Sequence, residues 1–377
     1  MNILYPNKAK YTINIHNKKK KFFINFTKKS LEKYGFCVIE GVIPKNKTNY
    51  ICNEVVKAKK KIDNNIQNII NLIRAKKSEK EINLSKKVML RPQRDLSKPY
   101  KPPNDLIFMP TFAKYLASDY IISLAKENLD DHLKIPQLHT KLVPPDTLDS
   151  KQIKFNYDLF GLPRVRSGNK FVRDWHSDWP HDTWAYGNNK KGENIGFIKK
   201  PFPDTPMCLT MIWYLSSGTK GVGTIVLPGS HRFGYDPRDV KKKTYLYGPL
   251  KDEIQIEALA GSVLIQDSRL WHSSPTNFGK YNRVAVVNRW APWWLSANDY
   301  GPKSRLNVVG RPFRKKEFDK LPKKLKPLFS SLCPDVHDYI SENKLRQSKL
   351  SSDFHKKILT KNKNKFKKIS KKNKKTA

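Results

Sequence analysis

From Leu209 to Trp290 the chain runs as short apolar stretches separated by Gly and Pro turns, with no helical periodicity between them. Leu209-Thr210-Met211-Ile212-Trp213-Tyr214-Leu215 is apolar at nearly every position and reads as a strand buried on both faces. Val222 to Leu227 reads as a second strand, closed by the turn Pro228-Gly229-Ser230-His231. Ile254 to Leu259, Val263 to Gln266 and Arg283 to Trp290 follow as further strands. Short strands in series with no helix among them predict an antiparallel double sheet or jelly roll.

The sequence before this block has a different period. Leu31, Tyr34 and Phe36 to Ile39 lead into Gly41-Val42-Ile43-Pro44, which predicts a short helix, a strand and a turn. Ile51, Val55, Ala58, Ile62, Ile66, Ile69 and Ile73 then recur every three or four residues, the stripe of an amphipathic helix packed on a sheet. Residues 85–150 are mixed and broken by prolines, with a helix expected from Pro110 to Leu129. Beyond Pro302 the pattern is basic and helical, and no internal repeat is visible. The expected organisation is a basic N-terminal extension (1–21), a main domain (22–310), a helical C-terminal extension (311–354) and a lysine-rich tail (355–377). Within the main domain, the helical part runs to about residue 135 and the jelly roll covers about 136–295.

At 377 residues, 38% hydrophobic and 28% charged, the chain can bury a large core under a polar surface. No apolar run reaches the roughly 18 to 20 residues that cross a bilayer. The stretch Met1 to Pro6 lacks the charged start, apolar segment and small-residue site of a secretory leader. Cys37, Cys52, Cys208 and Cys333 are scattered without a CxxC pair and fit a reducing cytoplasm better than a disulfide framework or a zinc site. The net charge of +41 raises the question of a polyanion partner. However, 59 of the 74 basic residues are lysine in a chain also rich in Asn and Ile, a skew that base composition alone can produce. Residues 355–377 hold eleven lysines and no acid, which reads as a disordered, solvated tail. That balance points away from nucleic acid, although the tail keeps such a partner open. Oligomeric state is not readable.

Two short segments carry the chemistry. The first is Asp174-Trp175-His176-Ser177-Asp178-Trp179; the second is Gln266-Asp267-Ser268-Arg269-Leu270-Trp271-His272-Ser273-Ser274, with Arg283 eleven residues after His272. Two imidazoles and one carboxylate on one face of a metal leave the opposite face open, the arrangement that suits non-haem Fe(II) oxygenases. A His-x-Asp triplet occurs often by chance. Here residues two apart on a strand point to one side, two tryptophans flank the pair, and a second histidine is followed at short range by an arginine. The planar fork of Arg283 pairs bidentately with carboxylates and could anchor an organic-acid cosubstrate.

These residues resemble the phytanoyl-CoA dioxygenase family, Fe(II)- and 2-oxoglutarate-dependent oxygenases with a double-stranded β-helix, or cupin-like jelly-roll, core. The resemblance covers roughly residues 25–295. It rests on Gly35-Phe36-Cys37-Val38-Ile39, Trp175-His176-Ser177-Asp178, Pro228-Gly229-Ser230-His231 and the block from Asp267 to Arg283. It implies His176, Asp178 and His272 as iron ligands, Arg283 as the partner of the distal 2-oxoglutarate carboxylate, and Ser274 as a further cosubstrate contact. It also implies use of O2, a small-molecule substrate and release of succinate and CO2. Ser177 stands where the family often has glutamine, and a lysine-rich insertion from Tyr186 to Pro206 separates the triad segment from the next strand. Halogenating relatives replace the carboxylate with a small residue; Asp178 is present, which favours hydroxylation.

Other residues are weighed against plainer roles. His231 ends a turn and reads as structural, and His181 points away from the site if the strand continues. Arg289, six residues after Arg283, shares its strand face and could hold either the cosubstrate or a structural ion pair. Arg164, Arg166, Lys170 and Arg173 read as a solvated loop that could meet an anionic substrate. Two other functions compete: a nucleic-acid demethylase of the same mechanism, whose two arginines can have the spacing of Arg283 and Arg289, and a non-catalytic jelly-roll module that binds a polyanion.

Overall fold

The computed structural model describes residues 6–17, 20–76, 104–145, 153–157, 163–167, 173, 175–178, 205–218, 222–233, 237, 248–274, 277, 279–295 and 313–333. Two large antiparallel pairings dominate. β11 (Arg283–Pro292) lies between β3 (Leu133–Val143) and β6 (Leu209–Tyr214), and β6 in turn pairs with β9 (Val263–Asp267). With β2 (Phe36–Glu40) and β1 (Thr12–Asn14) they form one six-stranded sheet in the order β1-β2-β9-β6-β11-β3. A second sheet orders β10 (His272–Ser273), β7 (Ile225–Val226) and β8 (Ile254–Gln255), and a backbone bridge from His176 to His272 extends it. From β3 onward the chain alternates between the two sheets: β3, His176, β6, β7 with β8, β9, β10, β11. That winding is the double-stranded β-helix, so the core is the expected mainly β jelly roll. β4 (Ile153–Tyr157) and β5 (Pro163–Ser167) form a separate hairpin.

Adjacent residues on β6 face opposite ways, as a pleat requires. Tyr214 enters the inter-sheet cluster with Phe36, Val38, Leu264, Val226, Ile254 and Leu270. Trp213 meets Phe112 edge-on at 5.1 Å. Phe112 belongs to a helical layer on the outer side of the large sheet. Here α1 (Lys20–Tyr34) packs on β2, and α2 (Lys45–Lys76) buries Ile51, Val55, Ala58 and Ile62 against β3 and β11. Both α3 (Pro110–Leu116) and α2 flank the same face, and α4 (Asp119–Asn128) packs on α1. The C-terminal stretch contributes two one-turn helices, α5 (Lys315–Phe318) and α6 (Lys326–Phe329), gathered by Phe313, Phe318 and Phe329, with α6 lying on β3.

Three local expectations change. The helix expected from Pro110 to Leu129 is two helices, because Ser118 takes extended backbone and its hydroxyl caps Ile121 N at 3.3 Å. The strands expected at Val222–Leu227 and Ile254–Leu259 keep only two regular residues each. At Gly223 the backbone runs so close to the Ile256 carbonyl that a Cβ would sit 1.8 Å from its oxygen, so glycine alone fits there. Finally, β3 lies in the stretch read as mixed. Its Pro136 can sit there because β3 is the sheet edge and the register with β11 shifts between Arg289 and Ala291.

The chain divides into two compact units, Met1–Leu332 and Cys333–Ala377; of the second only Cys333 is described. Among the described residues no helix is long and apolar enough to cross a membrane. All four cysteines are free, with Cys37, Cys208 and Cys333 buried.

Candidate metal centre

His176 and His272 are placed by main chain before their side chains matter. Each donates its N–H to the other's carbonyl, at 3.0 Å and 2.9 Å, and their rings stand 4.2 Å apart. Asp178 N donates to Ser268 O at 2.8 Å. Trp175, fully buried with Ile225, Leu227 and Trp271, donates its indole N–H to Gly248 O at 2.8 Å and fixes the start of the segment.

The Pro-Gly-Ser-His turn braces the other side. Gly229 takes φ 81°, a left-handed conformation that favours glycine, and its N–H reaches Tyr34 O at 2.9 Å. Ser230 Oγ donates to Leu227 O at 2.7 Å and accepts from Trp271 N at 2.9 Å, so the residue just before His272 is tied to the turn. The His231 ring reaches Glu32 O through Nε2 at 3.2 Å, and burial pushes its pKa down to about 4. Its role is structural, as its position in the turn suggests. Gly35 lies against that ring; a Cβ there would meet His231 Nδ1 at 2.5 Å.

The ligand atoms of His176, Asp178 and His272 all lie within 4.8 Å of one another. His272 Nδ1 lies 3.0 Å from the Leu270 carbonyl, which can only accept, so Nδ1 carries the proton and Nε2 presents a lone pair. Burial, with His176 adding to it, pushes the His272 pKa down to about 4 despite the nearby carboxylate. Burial would raise the Asp178 carboxyl, but His272, Arg289 and His176 outweigh it, with help from Thr210, and hold it well below the usual carboxylate range. At neutral pH a lone pair therefore faces an ionised carboxylate oxygen across 3.7 Å. Two acceptors turned toward each other with no proton between them fit a bound cation, and a donor set of two nitrogens and one oxygen suits Fe(II).

Next to this cluster, Arg283 Nη1 donates to Val222 O and Nη2 to Ser274 Oγ, each at 2.6 Å. Burial lowers the pKa of this guanidinium, and among the described residues no carboxylate pairs with it. Lys141 Nζ donates to the same Ser274 hydroxyl at 3.1 Å. Two cations thus converge on one neutral oxygen two residues past His272. Arg289 does not join them. It faces Asp178, with Nη2 3.5 Å from Oδ1. Gln266 Nε2 lies 3.5 Å from Asp178 Oδ2 and 3.3 Å from His272 Nδ1.

The structure thus brings together all five residues singled out in the sequence: His176, Asp178 and His272 in one cluster, Arg283 and Ser274 in hydrogen bond. Lys141 and Gln266 were missed. Lys141 was one lysine among many, whereas Gln266 did carry a signal as the polar residue in the buried strand Val263–Gln266. Arg173, grouped with a solvated loop, is paired with Glu253 at 2.8 Å. Arg164 and Arg166 fall on β5. His181, Lys170, Trp179, residues 186–204 of the insertion and the lysine-rich tail lie outside the described residues.

A jelly roll whose two sheets hold a two-histidine, one-carboxylate cluster defines the non-haem iron oxygenase class. The chain belongs to the phytanoyl-CoA dioxygenase family, whose model matches residues 31–285. It is an oxygenase of the kind that uses iron and 2-oxoglutarate. No curated protein matches the sequence. Similar solved structures include EctD from S. alaskensis with bound Fe, at 14% identity over 76% of this chain and 82% of that one, with a TM-score of 0.41. HygX from Streptomyces hygroscopicus with nickel and 2-oxoglutarate bound is similar at 13% identity, over 72% and 91%, with a TM-score of 0.40. The epimerase SnoN from nogalamycin biosynthesis is similar at 12% identity, over 72% and 84%, with a TM-score of 0.39.

Proposed function

We propose that this enzyme hydroxylates a C–H bond of a small molecule, converting 2-oxoglutarate and O2 to succinate and CO2 as the substrate gains its hydroxyl. His176, Asp178 and His272 are the residues that hold the iron. The observation that carries this reading is the His272 lone pair turned toward an ionised Asp178, with all three ligand atoms within 4.8 Å. O2 is the oxidant, taking two electrons from 2-oxoglutarate and two from the C–H bond; iron, when bound, would supply the chemistry that couples the two oxidations.

The protein's own part is placement and charge. The Leu270 carbonyl fixes the His272 tautomer. Arg283 and Lys141 are two cations around Ser274 that suit a carboxylate, so they and the Ser274 hydroxyl hold the distal end of 2-oxoglutarate. Buried Trp175 and Trp271 keep water from the histidine pair. Asp178 occupies the position that a halogenating site leaves open for a halide, which favours hydroxylation. Free cysteines support a reducing compartment, the cytoplasm.

The test is iron-dependent conversion of 2-oxoglutarate to succinate in air, followed without added substrate and with ascorbate supplying the two electrons that a substrate would otherwise give. Wild type should turn over slowly. Arg283→Ala should need on the order of a hundredfold more 2-oxoglutarate, given the roughly 2 to 4 kcal/mol of a buried charge-assisted pair. Equal 2-oxoglutarate dependence in both proteins would refute the assignment of Arg283.

A further inference from the structure

β11 carries two arginines on one face, Arg283 and Arg289, six residues apart. At about 3.3 Å of rise per residue their Cα atoms are about 20 Å apart, so the two guanidinium groups address different parts of the site. Arg283 reaches Val222 O and Ser274 Oγ. Arg289 is almost fully buried and reaches Asp178. The carboxylate meets a different donor at each oxygen, Arg289 near Oδ1 and Gln266 near Oδ2. Oδ1 is at the same time the oxygen nearest the lone pair of His272, at 3.7 Å.

A carboxylate with only 16% of its side chain exposed needs a cation nearby to offset the water it has lost. A bound metal meets that need, but the metal-free protein must meet it too. We propose that Arg289 is a positioning residue that serves as the resident counter-ion of Asp178, holding the carboxylate in place before metal arrives and sharing it once metal binds. This rests on the reading of His176, Asp178 and His272 as metal ligands.

Sharing has a direction. Arg289 stabilises the empty site, where Asp178 would otherwise be unpaired. It opposes the loaded one, because a guanidinium stands beside a divalent ion and draws on the same oxygen. Charge–charge terms at this range exceed the gain from holding one side chain in place. Removing the charge should therefore destabilise the metal-free protein and tighten metal binding together. Loss of an ordinary supporting residue does the reverse, with metal affinity typically falling 10- to 100-fold.

The experiment uses the full chain with Mn(II), which resists oxidation, titrated by calorimetry, alongside thermal unfolding with and without the ion. The variants are Arg289→Met, similar in length without charge, and Arg289→Lys, charged without the fork. Arg289→Met is expected to melt lower than wild type when metal-free, to gain more from saturating Mn(II), and to bind it at least about tenfold tighter. Arg289→Lys should bind within about threefold of wild type, and it carries the test if the methionine variant does not fold, since a packing role would then show as a loss of affinity. Weaker or unchanged Mn(II) binding by Arg289→Met, or weaker binding by Arg289→Lys when the other is unfolded, overturns the proposal and leaves the triad reading standing. Folded wild type that binds no Mn(II), or a His272→Ala variant that binds it as well as wild type, overturns both.

Discussion

The two sheets of this jelly roll are built in different ways. The large sheet has long paired strands, with β11 laddered to both β3 and β6 and one register shift between Arg289 and Ala291, and it is closed by packing such as Trp213 on Phe112. The small sheet has strands of two residues and a single bridge at His176. It is held by named hydrogen bonds: Ser230 to Trp271, Trp175 to Gly248, Asp178 to Ser268. Both sheets lend residues to the site. The large sheet presents Arg283, Arg289 and Gln266 from rigid strands, whereas the small one presents the histidines from short segments that cannot hold their shape by ladder alone. Fold stability and site geometry should therefore respond to different substitutions.

The largest effect should come from the large sheet. Trp213→Ala empties a fully buried site that also holds Asn288 through the indole N–H at 3.1 Å. It should cost about 3 to 5 kcal/mol in denaturant unfolding. A loss under about 1 kcal/mol would mean that this sheet does not carry the fold.

Acid should act next, through the small sheet. His231 and His272 are both held neutral by burial, with pKa values near 4. The unfolded chain titrates near about 6.5. Between those values the unfolded state binds protons that the folded state does not, so stability falls as pH drops from about 6.5 toward 4. Each histidine accounts for on the order of 3 kcal/mol when the change is complete. His231→Gln keeps a donor for Glu32 O without titrating and should remove roughly half of that slope. Urea midpoints measured across this pH range would show it, and an unchanged slope would contradict the burial argument.

How far the sequence reveals each sheet follows the same contrast. Leu209–Leu215 and the stripe from Ile51 to Ile62 were legible because burial on a regular element leaves a regular pattern. The clustering of His176, Asp178 and His272 was legible because a His-x-Asp pair on extended chain points to one side and the second histidine lies in a strand-ending context. β3 was not, because Pro136 reads as a breaker unless one knows that it lies on an edge beside a register shift. The split at Ser118 was there to be read in Ser118-Asp119, a common helix start. Lys141 was hidden by composition. Strand spacing leaves Arg289 between two roles, because it tells which face a side chain shares and not which partner it meets.

The smallest expected effect on stability separates the sheets most finely. Ser230→Ala removes the hydroxyl that ties Trp271 N to the turn and should cost only about 1 to 2 kcal/mol. Because Trp271 precedes His272, the same change should weaken Mn(II) binding several-fold, which Trp213 variants that stay folded should not do. If Ser230→Ala lowers stability and leaves metal affinity intact, the turn braces the fold alone.

The central claim is that His176, Asp178 and His272 hold iron beside a 2-oxoglutarate site centred on Arg283. The most direct measurement is the visible charge-transfer band of the anaerobic Fe(II)–2-oxoglutarate chelate, recorded for wild type, His272→Ala and Arg283→Ala. The account predicts the band in wild type, its loss in His272→Ala, and its return in Arg283→Ala only at far higher 2-oxoglutarate. A well-folded wild type with no band at any 2-oxoglutarate concentration would contradict it.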